Sequence, residues 1–195
     1  LDPSLAIAHR NLGWGYYHNL GDGIKAISEY EKAMELKKDD PLYYEELDAL
    51  YEMSNAPVEK RLALFEDRNE IVSARDNAFA RQITVLTLSG KPEKAVEYLT
   101  GRKFSYREGS SRVRDIIIDA HLMAAKKLMA EKKFDKALEE FVLARIPEEE
   151  AAGSRAGNRN IQVDYFIATA YDALGKGTLA RKSYEQSASR DVRSS

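Results

Sequence analysis

One recurring spacing constrains this chain more than any other feature. Gly13, Tyr16, Ala26, Tyr30 and Ala33 alternate small and large residues, and the run closes at Asp39-Asp40-Pro41. The pattern returns at Ala168, Tyr171, Gly175, Ala180 and Tyr184, and more weakly at Ala125, Leu128, Phe134, Ala137, Phe141 and Ala144. Small residues let two helices approach closely, and large ones fill the gaps between them. A helical hairpin of this kind cannot bury its own apolar face, so several must stack into a continuous core. A 3.6-residue period runs through the rest of the chain, and no convincing period-two stretch appears. The fold class expected is all-α.

With Leu12 before Gly13 and the aromatic Tyr16 three residues on, the first unit resembles a full tetratricopeptide repeat (TPR). The resemblance implies a right-handed superhelical solenoid of about five antiparallel helix hairpins. Leading helices are expected to open near residues 6, 41, 76, 118 and 161, so the period starts near 35 and stretches past 40. The repeats are placed at 4–38, 41–73, 76–100, 110–145 and 160–189, in a single array over 1–195. Long polar loops are expected at 101–111 and 146–160. The likeness is specific in the first, fourth and fifth units and looser in the second and third. In the third, Gln82 takes the usual leucine place and Ile83 the usual small one.

Composition removes several functions. Thirty Lys and Arg balance 32 Asp and Glu, and a net charge of −2 offers no pull towards nucleic acid or an anionic membrane. Charges interrupt every apolar run well short of the ~20 residues a membrane span needs. With no cysteine there is no disulfide or thiolate chemistry. The opening Leu1-Asp2-Pro3 reads as the end of a preceding repeat. The chain is therefore expected to be a fragment of a longer protein. It also resembles the C-terminal repeat tails of large bacterial proteins that carry an uncharacterised N-terminal domain. Compartment is left open, because a targeting signal would lie upstream.

Candidates for chemistry are weak. His9 and His121 fall at the fourth place of a leading helix, where packing between helices explains them, and His18 sits near a helix C-terminus, where a cation is favoured. No histidine pair has metal-ligand spacing, so no metal site or cofactor is expected. The pairs Glu45-Glu46 and Glu139-Glu140, and Glu148-Glu149-Glu150, read as solvated faces rather than a glycosidase dyad. The basic, aromatic stretch Arg102 to Arg107 reads as a loop whose aromatics plug against helices, with an anion- or RNA-binding patch as the alternative. The chain is expected not to be an enzyme.

Binding is expected on the inner face. In this repeat the second, fifth, ninth and twelfth residues of each leading helix line a concave groove. The resemblance implies a peptide-binding groove using Arg10, Trp14, Tyr17, Glu45, Lys126 and Tyr165, with Thr87 and Leu122 also at lining positions. A carboxylate clamp for chaperone tails would use the places of Arg10, Trp14, Glu46, Asn77 and Arg81, but Glu46 would repel a carboxylate. The reading is a non-catalytic scaffold that binds a protein or peptide, or another domain of the same polypeptide. The alternative is an accessory repeat region of a multidomain, carbohydrate-active enzyme whose catalytic residues lie outside this chain.

Overall fold

The computed structural model describes residues 3–102, 110–145 and 155–191, and all regular structure among them is helical. The chain divides into two compact units, Leu1–Gly90 and Lys91–Ser195. The first holds α1 (Pro3–Leu20), α2 (Gly23–Leu36), α3 (Pro41–Met53), α4 (Val58–Phe65), the one-turn α5 (Asn69–Val72) and α6 (Asp76–Leu88). The second holds α7 (Pro92–Leu99), α8 (Ser110–Ala130), α9 (Phe134–Ala144), α10 (Arg155–Ala173) and α11 (Gly177–Asp191).

Helix starts follow local chemistry. The Asp22 carboxylate accepts from the Lys25 N–H at 3.0 Å, and Asp40 accepts from Leu42 N–H at 3.1 Å with Pro41 at the first helical position. Ends repeat one device. A left-handed residue follows each of the five leading helices within two positions: Gly21, Asn55, Gly90, Lys132 and Gly175. Three of these turns carry the long closing bond of the motif, from Ala56 to Tyr51, Lys133 to Leu128 and Lys176 to Tyr171. After α1 the equivalent bond runs from Asp22 to Tyr16, one residue wider.

In each unit the core lies between the hairpin layers. In the first, Ala26, Tyr30, Leu47, Leu50 and Tyr51 form one cluster and Ala6, Ala33 and Tyr43 another. In the second, Ile118, Leu122, Ala125, Ala137, Phe141, Ala144, Val163, Ile167 and Ala170 form a continuous core. The expected small residues Ala26, Ala137 and Ala180 are all buried.

Three expectations are corrected. The repeat placed at 41–73 returns as two helices rather than one, because Asp67 is left-handed (φ 52°) and Asp67 and Asn69 both favour turns over helix. The loops expected at 101–111 and 146–160 are helical at their C-terminal ends, since α8 begins at Ser110 and α10 at Arg155. Residues 155–160 are helical despite Gly157, Asn158 and Asn160, and Asn160 is completely buried. The third correction is at the groove. Thr87 and Leu122 are buried, with the Thr87 hydroxyl donating to Ile83 O at 2.8 Å and Leu122 inside the second unit's core. Residues 103–109 and 146–154, with the aromatics of the basic stretch and the Glu148-Glu149-Glu150 run, lie outside the described residues.

Candidate functional site

In the first unit several residues expected to line a groove sit in a lattice of ion pairs centred on α3. The sequence Glu45-Glu46-Leu47-Asp48 with Glu52 places four carboxylates on one helix, and arginines reach them from its neighbours. Arg10 of α1 grips Glu46 with both Nε and Nη2, the first at 2.6 Å. That hydrogen bond pushes the Arg10 guanidinium above its ordinary value. Glu45 accepts from Arg75 and, at 3.2 Å, from Asn77. Arg81 of α6 donates to Asp48 at 2.9 Å and to Glu52 at 3.2 Å.

Asp48 is wholly buried and also takes Arg61 of α4 in a two-pronged pair at 2.8 and 2.9 Å. These two residues hold special positions. Asp48 matches Gly13, Ala125 and Ala168 in the other leading helices. Arg61 is the fourth residue of its returning helix, as Ala26, Ala95, Ala137 and Ala180 are of theirs. The second hairpin therefore replaces a small–small contact with a buried salt bridge. Nothing in the repeat pattern announced it.

What remains uncommitted near this lattice is aromatic. Trp14 is 50% exposed, and its ring lies 4.4 Å from that of His18. The Tyr17 ring meets His18 edge-on at 5.0 Å, and its hydroxyl points at Met53 Sδ, 2.9 Å away. Arg10, Trp14, Tyr17 and His18 follow at spacings of four, three and one, so they share one side of α1. Among the expected site residues, Arg10 and Glu45 are thus held by intramolecular bonds, while Trp14 and Tyr17 carry the open surface. Of the five places of the carboxylate clamp, four hold residues already hydrogen-bonded within the chain, Arg10, Glu46, Asn77 and Arg81, and the fifth holds Trp14.

The second unit repeats the arrangement with other chemistry. Lys126 of α8 puts its ammonium 4.4 Å above the ring of Phe166 in α10. Tyr165, 50% exposed, packs edge-on against Phe166 at 5.7 Å and Tyr184 at 5.6 Å. The Tyr184 hydroxyl donates to Asp172 at 3.0 Å. Lys126 and Tyr165 are thus joined through Phe166, which occupies no lining position in the repeat rule and was missed on that account. Asp119 pairs with Arg159, and Asp164 with Arg145 at 2.8 Å.

Both packing histidines have a defined partner on the returning helix. His9 Nδ1 lies 2.5 Å from Glu29 Oε2, and His121 Nδ1 lies 2.7 Å from Glu140 Oε2. Each glutamate stands three residues after the small alanine, Ala26 or Ala137, so the signal was present in the sequence. Lys32, and then His9, hold the Glu29 carboxyl below its usual range. Among the described residues no group of three His, Asp or Glu side chains could hold a metal ion, and no helix is long and apolar enough to cross a membrane.

No family model matches the chain. Solved structures do. The crystal structure of MamA protein matches at a TM-score of 0.65 and 14% identity, covering 98% of this chain and 94% of that one. A second MamA crystal structure matches at 0.61 and 15% identity, covering 91% and 94%. A putative kinesin light chain of Podosopora anserina with nearly identical TPR-like repeats matches at 0.52 and 17% identity, covering 99% and 98%. Together with the helical hairpins these likenesses establish an all-α, TPR-like solenoid fold.

Proposed function

We propose that the chain is a non-catalytic scaffold that binds a peptide or protein segment on the inner faces of its leading helices. In the first unit the anchor is Trp14 with Tyr17, flanked by His18 and Met53. The observation that supports this reading is a contrast: Trp14 is half exposed, while the arginines and carboxylates of the adjoining lattice are bonded to one another. A ligand therefore gains little from presenting a carboxylate there, because Arg10 and Arg81 would have to leave Glu46 and Asp48. It gains from presenting an apolar side chain to the tryptophan, the residue type that dominates measured interface hot spots. In the second unit Lys126 and Tyr165 form a separate aromatic surface with Phe166. The expected ligand is an uncharged or mixed-charge segment with an aromatic or aliphatic anchor.

Trp14 is the only tryptophan, so its emission reports on the site without labelling. A peptide library presented to the chain is expected to select apolar anchors, and bound peptides are expected to shift the Trp14 emission to the blue. Trp14→Ala is expected to weaken binding by at least ~2 kcal/mol while changing fold stability less. Peptides that bind equally well to Trp14→Ala would remove this site from the reading.

A further inference from the structure

Within each unit two leading helices run in the same direction and meet in matching rungs. In the first, Arg10 of α1 grips Glu46 of α3, and seven residues on in both helices Tyr17 meets Met53. In the second, Asp119 of α8 takes Arg159 of α10, and seven residues on in both helices Lys126 lies over Phe166. Seven residues make two helical turns, so the two rungs of each pair share one face. The lower rung is an ion pair closed on itself in both units. The upper rung differs. In the first unit it is a tyrosine on a thioether, and in the second it is a cation on a ring.

That cation is held in place without being neutralised. The Phe166 ring stacks on the wholly buried Phe141, 5.5 Å away with 10° between the planes. Lys126 therefore rests on a platform fixed from the core, 4.4 Å from the ring centre. A ring attracts an ammonium through its quadrupole but cancels no charge, and it leaves N–H donors on the far side for another acceptor. Lys25 over Tyr16 and Lys60 over Tyr51 each have a carboxylate as well, Asp22 and Glu31, both at 3.0 Å. Among the described residues no carboxylate meets Lys126. Its neighbour Lys127 turns instead to Glu93, at 2.9 Å. Both acids of α10 are engaged, Asp164 by Arg145 and Asp172 by Tyr184.

We propose that Lys126 on Phe166 is a subsite for one acidic side chain, Asp or Glu, of the bound peptide; this rests on the peptide-binding reading above. Met123, one turn before Lys126 and 43% exposed, and Tyr165, beside Phe166 and 50% exposed, take the apolar residues flanking that acid. A lysine already positioned by a ring loses less freedom on binding than a free one. One ammonium supplies one charge, which a carboxylate matches and a phosphate group exceeds. The rung is framed on both sides by helices of this chain. It is a single cation on a ring, chemically distinct from the five-residue clamp whose places are otherwise filled. An acidic residue thereby distinguishes the two units, because the upper rung of the first offers it no cation.

Panning a random linear peptide library displayed on phage, against the full chain and against Lys126→Gln, tests the proposal. Clones selected on the parent are expected to carry Asp or Glu beside an aromatic or aliphatic residue. Such a peptide, made synthetically, is expected to bind Lys126→Gln about tenfold more weakly than the parent and to keep its affinity for Lys126→Arg. Its affinity for the parent is expected to fall as salt rises. The same peptide with glutamine in place of its acid is expected to bind parent and Lys126→Gln alike. Lys126 is exposed, so an unchanged melting temperature shows that the variant is folded. Clones without acidic enrichment, or acidic peptides that bind Lys126→Gln as tightly as the parent, overturn the proposal and leave the apolar anchor at Trp14 standing. A library that yields no binder overturns both.

Discussion

The two units solve one packing problem with different materials. In the second, leading and returning helices meet through Ala125, Ala137, Ala168 and Ala180, and the core around them is aliphatic with stacked Phe141 and Phe166. In the first, the same positions hold Gly13 with Ala26 and then Asp48 with Arg61, and four tyrosines are buried around them. An apolar contact tolerates small shifts, because dispersion is not directional. A bidentate salt bridge with a wholly buried carboxylate fixes the geometry and leaves a large penalty if one partner is lost. The first unit therefore gains a specified arrangement at the expense of tolerance.

Removing one partner should break the comparison most visibly. Asp48→Ala strands Arg61 in the interior and is expected to destabilise the first unit by about 3–5 kcal/mol. Adding Arg61→Ala makes this contact resemble Ala125 with Ala137, and at least half of the loss should return. Urea denaturation followed by Trp14 emission reads the first unit alone. A loss below ~1 kcal/mol for Asp48→Ala would mean that the pair is not a specifying element.

Alkali should separate the units next. Burial pushes the Tyr30 hydroxyl up to about 12, and burial likewise raises Tyr43, Tyr44 and Tyr51. In the second unit burial and then Asp172 raise Tyr184, a partly exposed residue. A proton held in the fold and released on unfolding stabilises the protein fully below the ordinary tyrosine value near 10. That contribution disappears as pH rises through 12. For Tyr30 it amounts to roughly 2–3 kcal/mol. Unfolding with rising pH should thus begin in the first unit, seen by Trp14 emission, and Tyr30→Phe should delay it. Simultaneous loss of both units would erase this distinction.

The smallest contrast lies at one repeat position. Gly13→Ala drives a methyl into Tyr30 and the Ala26 carbonyl and is expected to lose about 1–2 kcal/mol in spite of alanine's helix preference. Ala125→Gly, its reverse in the second unit, should lose about 1 kcal/mol through chain entropy and a lost contact. Thermal melts of the two variants would show whether the positions are equivalent; a stabilised Gly13→Ala chain would show that they are.

The repeat pattern made the hairpins legible because small residues at a helix crossing have few substitutes. Ala26, Ala137 and Ala180 therefore marked returning helices. It did not reveal the break at Asp67, where the template overrode the poor helix preference of Asp67 and Asn69. The early start of α10 was hidden for the opposite reason. Gly157 and Asn158 read as a loop, yet the helix is tied down by Arg159 to Asp119, by Asp164 to Arg145 and by the burial of Asn160. Trp14, Tyr17, Lys126 and Tyr165 were named by their place in the repeat, and the structure puts Trp14 and Tyr165 at the surface. The saturation of Arg10 and Glu45 was not legible, because their partners Glu46 and Arg75 are 36 and 30 residues away.

The bonds of α3 also bear on how such an array could be rearranged. Repeats in a solenoid are often treated as interchangeable modules that may be duplicated, deleted or shuffled. The second hairpin here is not one. Its carboxylates draw on Arg10 from the segment before it and on Arg75 and Arg81 from the segment after. A copy of residues 41–73 inserted elsewhere would bring Glu45, Glu46 and Asp48 to sites lacking those arginines, and deleting it would leave the arginines facing one another. Its neighbours are written into its side chains, so it carries an address as well as a shape.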